Sequence, residues 1–468
     1  MRLALIAVAS VTAMLAAPAA ALDCAGLAGV PLRDAAVTAS GIVATATTPA
    51  NPKFDFCSVK ITARPTAGSD IRLELWIPEA KAWNGKFLQV GNGGFAGTIP
   101  YRLMALGLAQ GYAVAGTDNG HQSPDATDAS WAPGHPEKLV DFGWRAVKVT
   151  TDTARAVLAA YGPTPRKSYF FGCSDGGREA LMTAQRFPDD FDGIIAGAAA
   201  YDWTGLQAAA ALYQQRIGVA AVPAAKLPAI QAAALRACGG GTFVRSPDSC
   251  RFDPGVLACK RKAKATNQCL TGGELTAVRS VYAGLTNPAT GRHLPGLRPG
   301  AEAQPGSWND WLLGRNNGSS AAGRPAGFAD NWFAYVVRAD PTFRATNVTR
   351  DDFVASERFA ATVNATDPDL TRYRQRGGKL LMYHGWNDPA IAPDYSIAYA
   401  RAVAGRTAGA PQFLRLYMVP GMLHCGGGAS PNQVDWLGTL DGWVERGSAP
   451  GTITATGAGN ASQDLNPR

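Results

Sequence analysis

Apolar residues in this chain recur at two spacings, and the places where one gives way to the other outline its architecture. Ile71, Leu73, Leu75 and Ile77 alternate with Arg72, Glu74 and Trp76, the period of two expected of a half-buried strand. Short apolar runs at 86–90, 112–115, 168–171, 193–196, 379–383 and 413–418 read as further strands. Helical spacing fills 141–160, 177–187 and 395–403 between several of them. Strands alternating with helices predict an α/β fold, a mostly parallel sheet covered by helices on both faces.

The rhythm stops near Trp203 and resumes at Lys379. Between them lie an Ala-rich helical stretch, four cysteines from Cys238 to Cys269, and then sequence rich in Gly, Pro, Asn and Trp with no strand–helix alternation. This predicts a core in two parts, 22–202 and 375–468, interrupted by a large inserted lid domain at 203–374. No internal repeat is visible.

Residues 1–21 read as a secretory signal: Arg2 leads into an apolar run at 3–15 and then into Ala19, Ala20 and Ala21, the small-residue pattern of a cleavage site. The run is shorter than the roughly 20 residues that span a bilayer. A lipid anchor on Cys24 is opposed by Asp23 directly before it. About 447 residues remain, long for one domain and short for three on a scale of about 150 residues each.

The net charge of +8 raises the possibility of an anionic partner, but the basic residues are scattered. The densest group, Lys260, Arg261, Lys262 and Lys264, has no interleaved aromatics and reads as a solvated face, so no nucleic-acid partner is expected. Nor is a membrane, once the signal is cleaved. The eight cysteines include no C-x-x-C pair, and an even number in an exported chain favours disulfides over a zinc site. Spacing alone leaves all 105 pairings open.

The chemistry is carried by Gly172-Cys173-Ser174-Asp175-Gly176, which follows the apolar Tyr169, Phe170 and Phe171 and precedes a helical pattern. This is G-x-S-x-G in the strand, sharp turn and helix setting that exposes a nucleophilic serine above a sheet. A serine hydroxyl needs a neighbouring base, and in this fold the acid and then the base follow the serine along the chain. Of five histidines, His121 and His135 precede Ser174 and His293 lies in the insertion, leaving His384 and His424. Asp388 sits just beyond the strand at 379–383, where the acid belongs, and His384 comes before it. That order assigns His424 as base, Asp388 as orienting acid and His384 as a histidine that fixes the Asp388 loop. Oxyanion donors are expected from the N–H of Asp175 and from the glycine-rich loop after the 86–90 strand, with Gly94 ahead of Gly93.

Gly172, Cys173 and Ser174, together with Pro420-Gly421-Met422-Leu423-His424-Cys425-Gly426-Gly427-Gly428, resemble the tannase and feruloyl esterase family. So do Trp83-Asn84-Gly85-Lys86-Phe87, the stretch 91–97, Thr117-Asp118-Asn119-Gly120-His121, Phe187-Pro188-Asp189-Asp190-Phe191-Asp192-Gly193 and His384-Gly385-Trp386-Asn387-Asp388. The resemblance implies an α/β-hydrolase core and hydrolysis of esters of hydroxylated aromatic acids; mono(hydroxyethyl) terephthalate hydrolases share the family. It also implies a disulfide between Cys173 and Cys425, flanking nucleophile and base, and pairs Cys24 with Cys57, Cys238 with Cys250, and Cys259 with Cys269. A bridge closing about 250 residues is worth at most roughly 5 kcal/mol on a chain-entropy account.

One departure stands out. Many relatives carry an Asp-rich calcium loop between the cysteines matching Cys238 and Cys250, whereas here 239–249 holds the single carboxylate Asp248. Calcium takes six to eight oxygen ligands, so no lid calcium, and no other cofactor or metal, is expected.

The expected activity is therefore a secreted or periplasmic serine carboxylesterase acting on a small aromatic ester of feruloyl, galloyl or chlorogenate type. Trp308, Trp311, Trp332 and Phe333 are candidates to wall the acyl pocket. An alternative is a terephthalate monoester hydrolase, with Arg338 or Arg315 meeting the distal carboxylate. A third reading, from another class, is an inactive exported binding protein on a hydrolase scaffold; the full set of three triad residues argues against it. Oligomeric state is not legible.

Overall fold

Nine strands form one sheet in the computed structural model, which describes residues 22–44, 54–162, 164–220, 222–260, 266–313 and 324–468. They are β1 (Ala35–Val43), β2 (Phe56–Ala63), β3 (Ile71–Pro78), β4 (Lys86–Val90), β5 (Ala113–Thr117), β6 (Lys167–Cys173), β7 (Gly193–Gly197), β8 (Lys379–Gly385) and β9 (Leu414–Val419). Their order across the sheet is β1-β2-β3-β5-β4-β6-β7-β8-β9. From β5 to β9 neighbours run parallel, while β1, β2, β3 and β5 pair antiparallel. Every residue of β4, β5 and β7 is buried, which is why these strands read as unbroken apolar runs: helices cover both faces. The architecture is that of an α/β-hydrolase.

β3 differs from its half-buried expectation. Helix α1 (Tyr101–Ala109) covers its second face, and Glu74 is buried there. The carboxylate is compensated by hydrogen bonds from Ser58 at 2.6 Å, the Trp76 indole at 2.7 Å and Tyr101 at 2.9 Å. The helix expected over 141–160 is a helix at Pro136–Val140, a wider π turn at Asp141–Arg145 and a helix at Ala146–Tyr161. Helix α2 (Asp175–Arg186) follows β6 directly.

Among the described residues, 203–374 adds no strand to the main sheet. It begins with helix α3 (Trp203–Ala220) and includes helices Leu227–Ala237, Gly272–Ala283 and Arg350–Glu357, with one short pairing of Leu285–Thr286 and His293–Leu294. The expected signal at 1–21 and the candidate Arg315 lie outside the described residues.

Candidate active site

Ser174 sits in the turn between β6 and α2 with φ +64° and ψ −121°, a backbone region that side chains rarely adopt and that persists only where surroundings enforce it. The flanking glycines make the turn possible. A Cβ on Gly172 would stand 2.1 Å from the Gly176 carbonyl oxygen, and one on Gly177 2.4 Å from that of Gly197. The Ser174 N–H donates to Gly197 O at 3.0 Å, pinning the turn to the end of β7.

The three residues drawn from distant stretches of chain meet at the carboxyl end of the sheet. His424 Nε2 lies 2.9 Å from Ser174 Oγ, and His424 Nδ1 lies 2.8 Å from Asp388 Oδ2. Ser174 and His424 are partly exposed, while Asp388 is buried. Its Oδ1 accepts the N–H groups of Ala390 and Ile391 at 2.8 and 2.9 Å, which fixes its rotamer. Burial alone would raise the Asp388 pKa. The His424 charge and hydrogen bonds from both His384 and His424 outweigh it and hold the carboxyl well below the usual range.

His384 is fully buried behind the acid. Its Nε2 lies 3.0 Å from Ile391 O and 3.2 Å from Asp388 Oδ2, and its Nδ1 lies 2.7 Å from Ser396 Oγ. A carbonyl can only accept, so Nε2 carries a proton toward Ile391 O. Thus His384 braces the acid loop and stands away from Ser174.

The expected oxyanion donors border the same space. Gly93, Gly94 and Ser174 line one broad cavity, and Gly94 and Ser174 also line a narrower apolar slot beside it. Gly94 has φ +61°, and a Cβ there would meet Ala126 O at 2.3 Å. Asp175 opens α2, so its N–H is among the first-turn donors that no helical carbonyl satisfies.

Beneath this loop lies a buried charged cluster that pattern reading missed. Arg178 Nε donates to Asp175 at 2.6 Å, with neither side chain exposed. Glu179 accepts the Asn92 N–H at 3.1 Å with one oxygen and the Asn119 amide with the other, so it holds the loop that leads into Gly93 and Gly94. Burial and then the Asp175 charge push the Glu179 carboxyl up to about 8, against the opposing pull of Arg178. In the sequence these residues look like the solvated face of a helix, and only their position just after the nucleophile hints otherwise.

The expected pocket aromatics divide. Trp311 lines both cavities, its ring edge-on to His424 with centroids 5.2 Å apart. The other three are corrected by the structure, since none lines either cavity. Trp332 is fully buried, donating to Ser356 Oγ at 2.8 Å behind Phe95. Phe333 packs edge-on against Phe353, and Trp308 packs on Tyr282. Phe328, which spacing did not single out, lines both cavities with Trp311. Arg338 is likewise no pocket cation: it is paired with Asp352 at 2.5 Å and lines neither cavity.

Four disulfides join Cys24 to Cys57, Cys173 to Cys425, Cys238 to Cys250 and Cys259 to Cys269. The second spans 252 residues and ties the residue before Ser174 to the residue after His424. In the loop between Cys238 and Cys250, the one carboxylate, Asp248, is paired with Arg468. Among the described residues no group of three or more His, Cys, Asp or Glu is arranged to hold a metal. No helix among the described residues is long and apolar enough to cross a membrane.

The family described as tannase and feruloyl esterase matches residues 57–466. An uncharacterized esterase of Xanthomonas campestris pv. campestris is 38% identical, over 97% of this chain and 88% of its own. A probable feruloyl esterase B-2 of Aspergillus flavus is 32% identical, over 86% of this chain and 80% of its own. The crystal structure of feruloyl esterase B from Aspergillus oryzae superposes with a TM-score of 0.85 at 26% identity, covering 95% of each chain.

Proposed function

The chain belongs to the tannase and feruloyl esterase family and is a carboxylic ester hydrolase, and from that premise we propose that it cleaves esters of hydroxylated aromatic acids through an acyl-enzyme on Ser174. The observation that carries this reading is the unbroken line of hydrogen bonds from Ser174 Oγ through His424 to Asp388.

His424 Nε2 takes the hydroxyl proton as Ser174 Oγ attacks the ester carbonyl, and Asp388 holds the tautomer and stabilises the imidazolium that forms. The negative oxygen of the tetrahedral intermediate is met by the N–H groups of Asp175 and Gly94, aided by the positive end of α2. Collapse passes the proton from His424 to the departing alcohol. Water, deprotonated by the same imidazole, then attacks the acyl group, and the acid leaves with Ser174 restored. The broad cavity beside Ser174, about 1710 Å³ and walled in part by Trp311 and Phe328, has room for a flat aromatic acyl group. For a terephthalate monoester, Arg338 gives no support because it is committed to Asp352; the cationic side chain that lines the broad cavity with Ser174 is Arg102.

Export is part of the proposal, supported by the apolar segment at 3–15 and the use of all eight cysteines in disulfides. So is a lid without calcium, supported by the Asp248–Arg468 pair.

The test is hydrolysis of methyl ferulate, methyl gallate and nitrophenyl acetate by wild type and Ser174→Ala. The expected result is turnover of at least one of the two aromatic-acid esters, reduced by a factor of about 10⁴ or more in the variant. Equal rates for the two proteins would remove the mechanism, and turnover of the acetate alone would remove the substrate class.

A further inference from the structure

Arg178 lies in the first turn of α2, just after the nucleophile, and is fully buried. Apart from Asp175, the groups its guanidinium meets lie outside that helix. Nη1 donates to Gly143 O at 2.8 Å and to Val363 O at 3.2 Å, and Nη2 donates to Phe142 O at 3.0 Å. The guanidinium carbon stands 4.5 Å from the centre of the Phe142 ring and 5.5 Å from that of Trp203. Trp203 opens α3 at the start of 203–374, and Val363 lies near the end of that segment. Both ends of 203–374, and the π turn at Asp141–Arg145, therefore converge on one side chain.

A buried ion pair is a poor source of stability, since an apolar side chain of similar volume often serves the fold as well or better. What a guanidinium supplies is a rigid fork of donors that neither an apolar side chain nor lysine reproduces. Here the fork reaches three carbonyls on other elements, while Nε returns to Asp175 Oδ1 at 2.6 Å. Asp175 is thus tied to backbone that α2 does not contain. It directly follows Ser174, whose φ of +64° persists only where the surroundings over-determine it.

We propose that Arg178 is a positioning residue for the oxyanion: braced on the Phe142, Gly143 and Val363 carbonyls, it holds the first turn of α2 so that the Asp175 N–H meets the oxygen of the tetrahedral intermediate. This rests on the reading of Ser174 as nucleophile and of the Asp175 N–H as an oxyanion donor, and deepens it by naming what aims that donor. It also makes the seating of 203–374 on the core a determinant of catalysis. Arg178 lines neither cavity, so its effect falls on the charge that develops at the ester oxygen and not on binding of the ester.

The experiment uses Arg178→Lys, which keeps the charge without the fork, and measures two inhibition constants beside kcat and KM. Benzeneboronic acid forms a tetrahedral adduct with a serine hydroxyl and so reports on the oxyanion site; the acid product of the assayed ester binds without forming one. The expected result is a boronate constant raised about tenfold or more with a matching fall in kcat, while KM and the product constant stay within about twofold. Loss of folded protein lowers the apparent kcat but moves neither constant. A boronate constant that does not move therefore overturns the inference, whatever happens to kcat, and an equal rise in both constants overturns it by making Arg178 a residue that shapes the pocket. Should Arg178→Lys fail to fold, Asp175→Asn carries the same comparison, with the same two overturning results, because it keeps the N–H and gives up the charged link. Failure of the underlying reading is distinct: the boronate would leave wild type uninhibited and Ser174→Ala would stay active.

Discussion

Asp388 decides which nitrogen of His424 is free to take a proton. Its Oδ1 is committed to the Ala390 and Ile391 N–H groups, so Oδ2 faces Nδ1. In Asp388→Asn the backbone donors keep the amide oxygen on their side and aim the amide N–H₂ at Nδ1. Nδ1 then has to accept, Nε2 has to carry the proton, and Ser174 loses its base. The expected outcome is a fall in kcat/KM of about 10⁴ with the fold retained, checked by steady-state kinetics beside circular dichroism. Stability carries a second signature. The folded pKa of Asp388 is depressed, so its charge stabilises the fold above the ordinary carboxylate range and that contribution is lost as pH falls. The gap in melting temperature between wild type and Asp388→Asn is thus expected to be wide at about pH 7 and to shrink below about pH 4. That Ser174, Asp388 and His424 would come together was legible because each follows an apolar strand run and chain order left one histidine.

Between elements, what matters is how α2 grips the loop after β4. Glu179 is the clasp, accepting the Asn92 N–H with one oxygen and the Asn119 amide with the other. Glu179→Gln sets an N–H₂ group against one of these two donors and loosens the loop that positions Gly94. Because Glu179 lines neither cavity and would act on the proposed oxyanion site only through that loop, kcat is expected to fall about ten- to a hundredfold while KM changes little. An equal loss in KM would mark a substrate contact instead. The raised pKa gives the matching stability signature. A carboxyl that prefers its proton when folded loses stability as pH climbs from the ordinary carboxylate range through about 8. Wild type is expected to lose more melting temperature than Glu179→Gln over that interval. At this scale sequence patterning had uneven reach. Period two in β3 was visible, but not that α1 covers its second face and supplies Tyr101 to Glu74. Helical periodicity in 177–187 could not show that Arg178 and Glu179 point inward. Trp311 and Trp332 look alike as aromatic positions, yet one borders the site and the other lies beneath it, because local spacing does not say which side of an inserted segment meets the core.

At the scale of the whole molecule, an interrupted core carries a site assembled from both of its parts and roofed by the insertion between them. Cys173–Cys425 joins the two core parts at the site itself, whereas Cys238–Cys250 and Cys259–Cys269 close short loops within 203–374. With Asp248 engaged by Arg468 and no other carboxylate between Cys238 and Cys250, a chelator is expected to leave the melting temperature unchanged and metal analysis to find no stoichiometric calcium; destabilisation on chelation would contradict this. The break in strand–helix rhythm at 203–374 was visible from residue order, while the path of that segment over the sheet depends on contacts far apart in the chain. The step that distinguishes the proposed mechanism is the transfer of an aromatic acyl group to one hydroxyl. Acid quenching during turnover of a nitrophenyl ester of ferulic acid, followed by peptide mass mapping, reads that transfer directly. The predicted result is a feruloyl adduct on the peptide containing Ser174 and none in Ser174→Ala; turnover with that peptide unmodified and the adduct on another residue would contradict it.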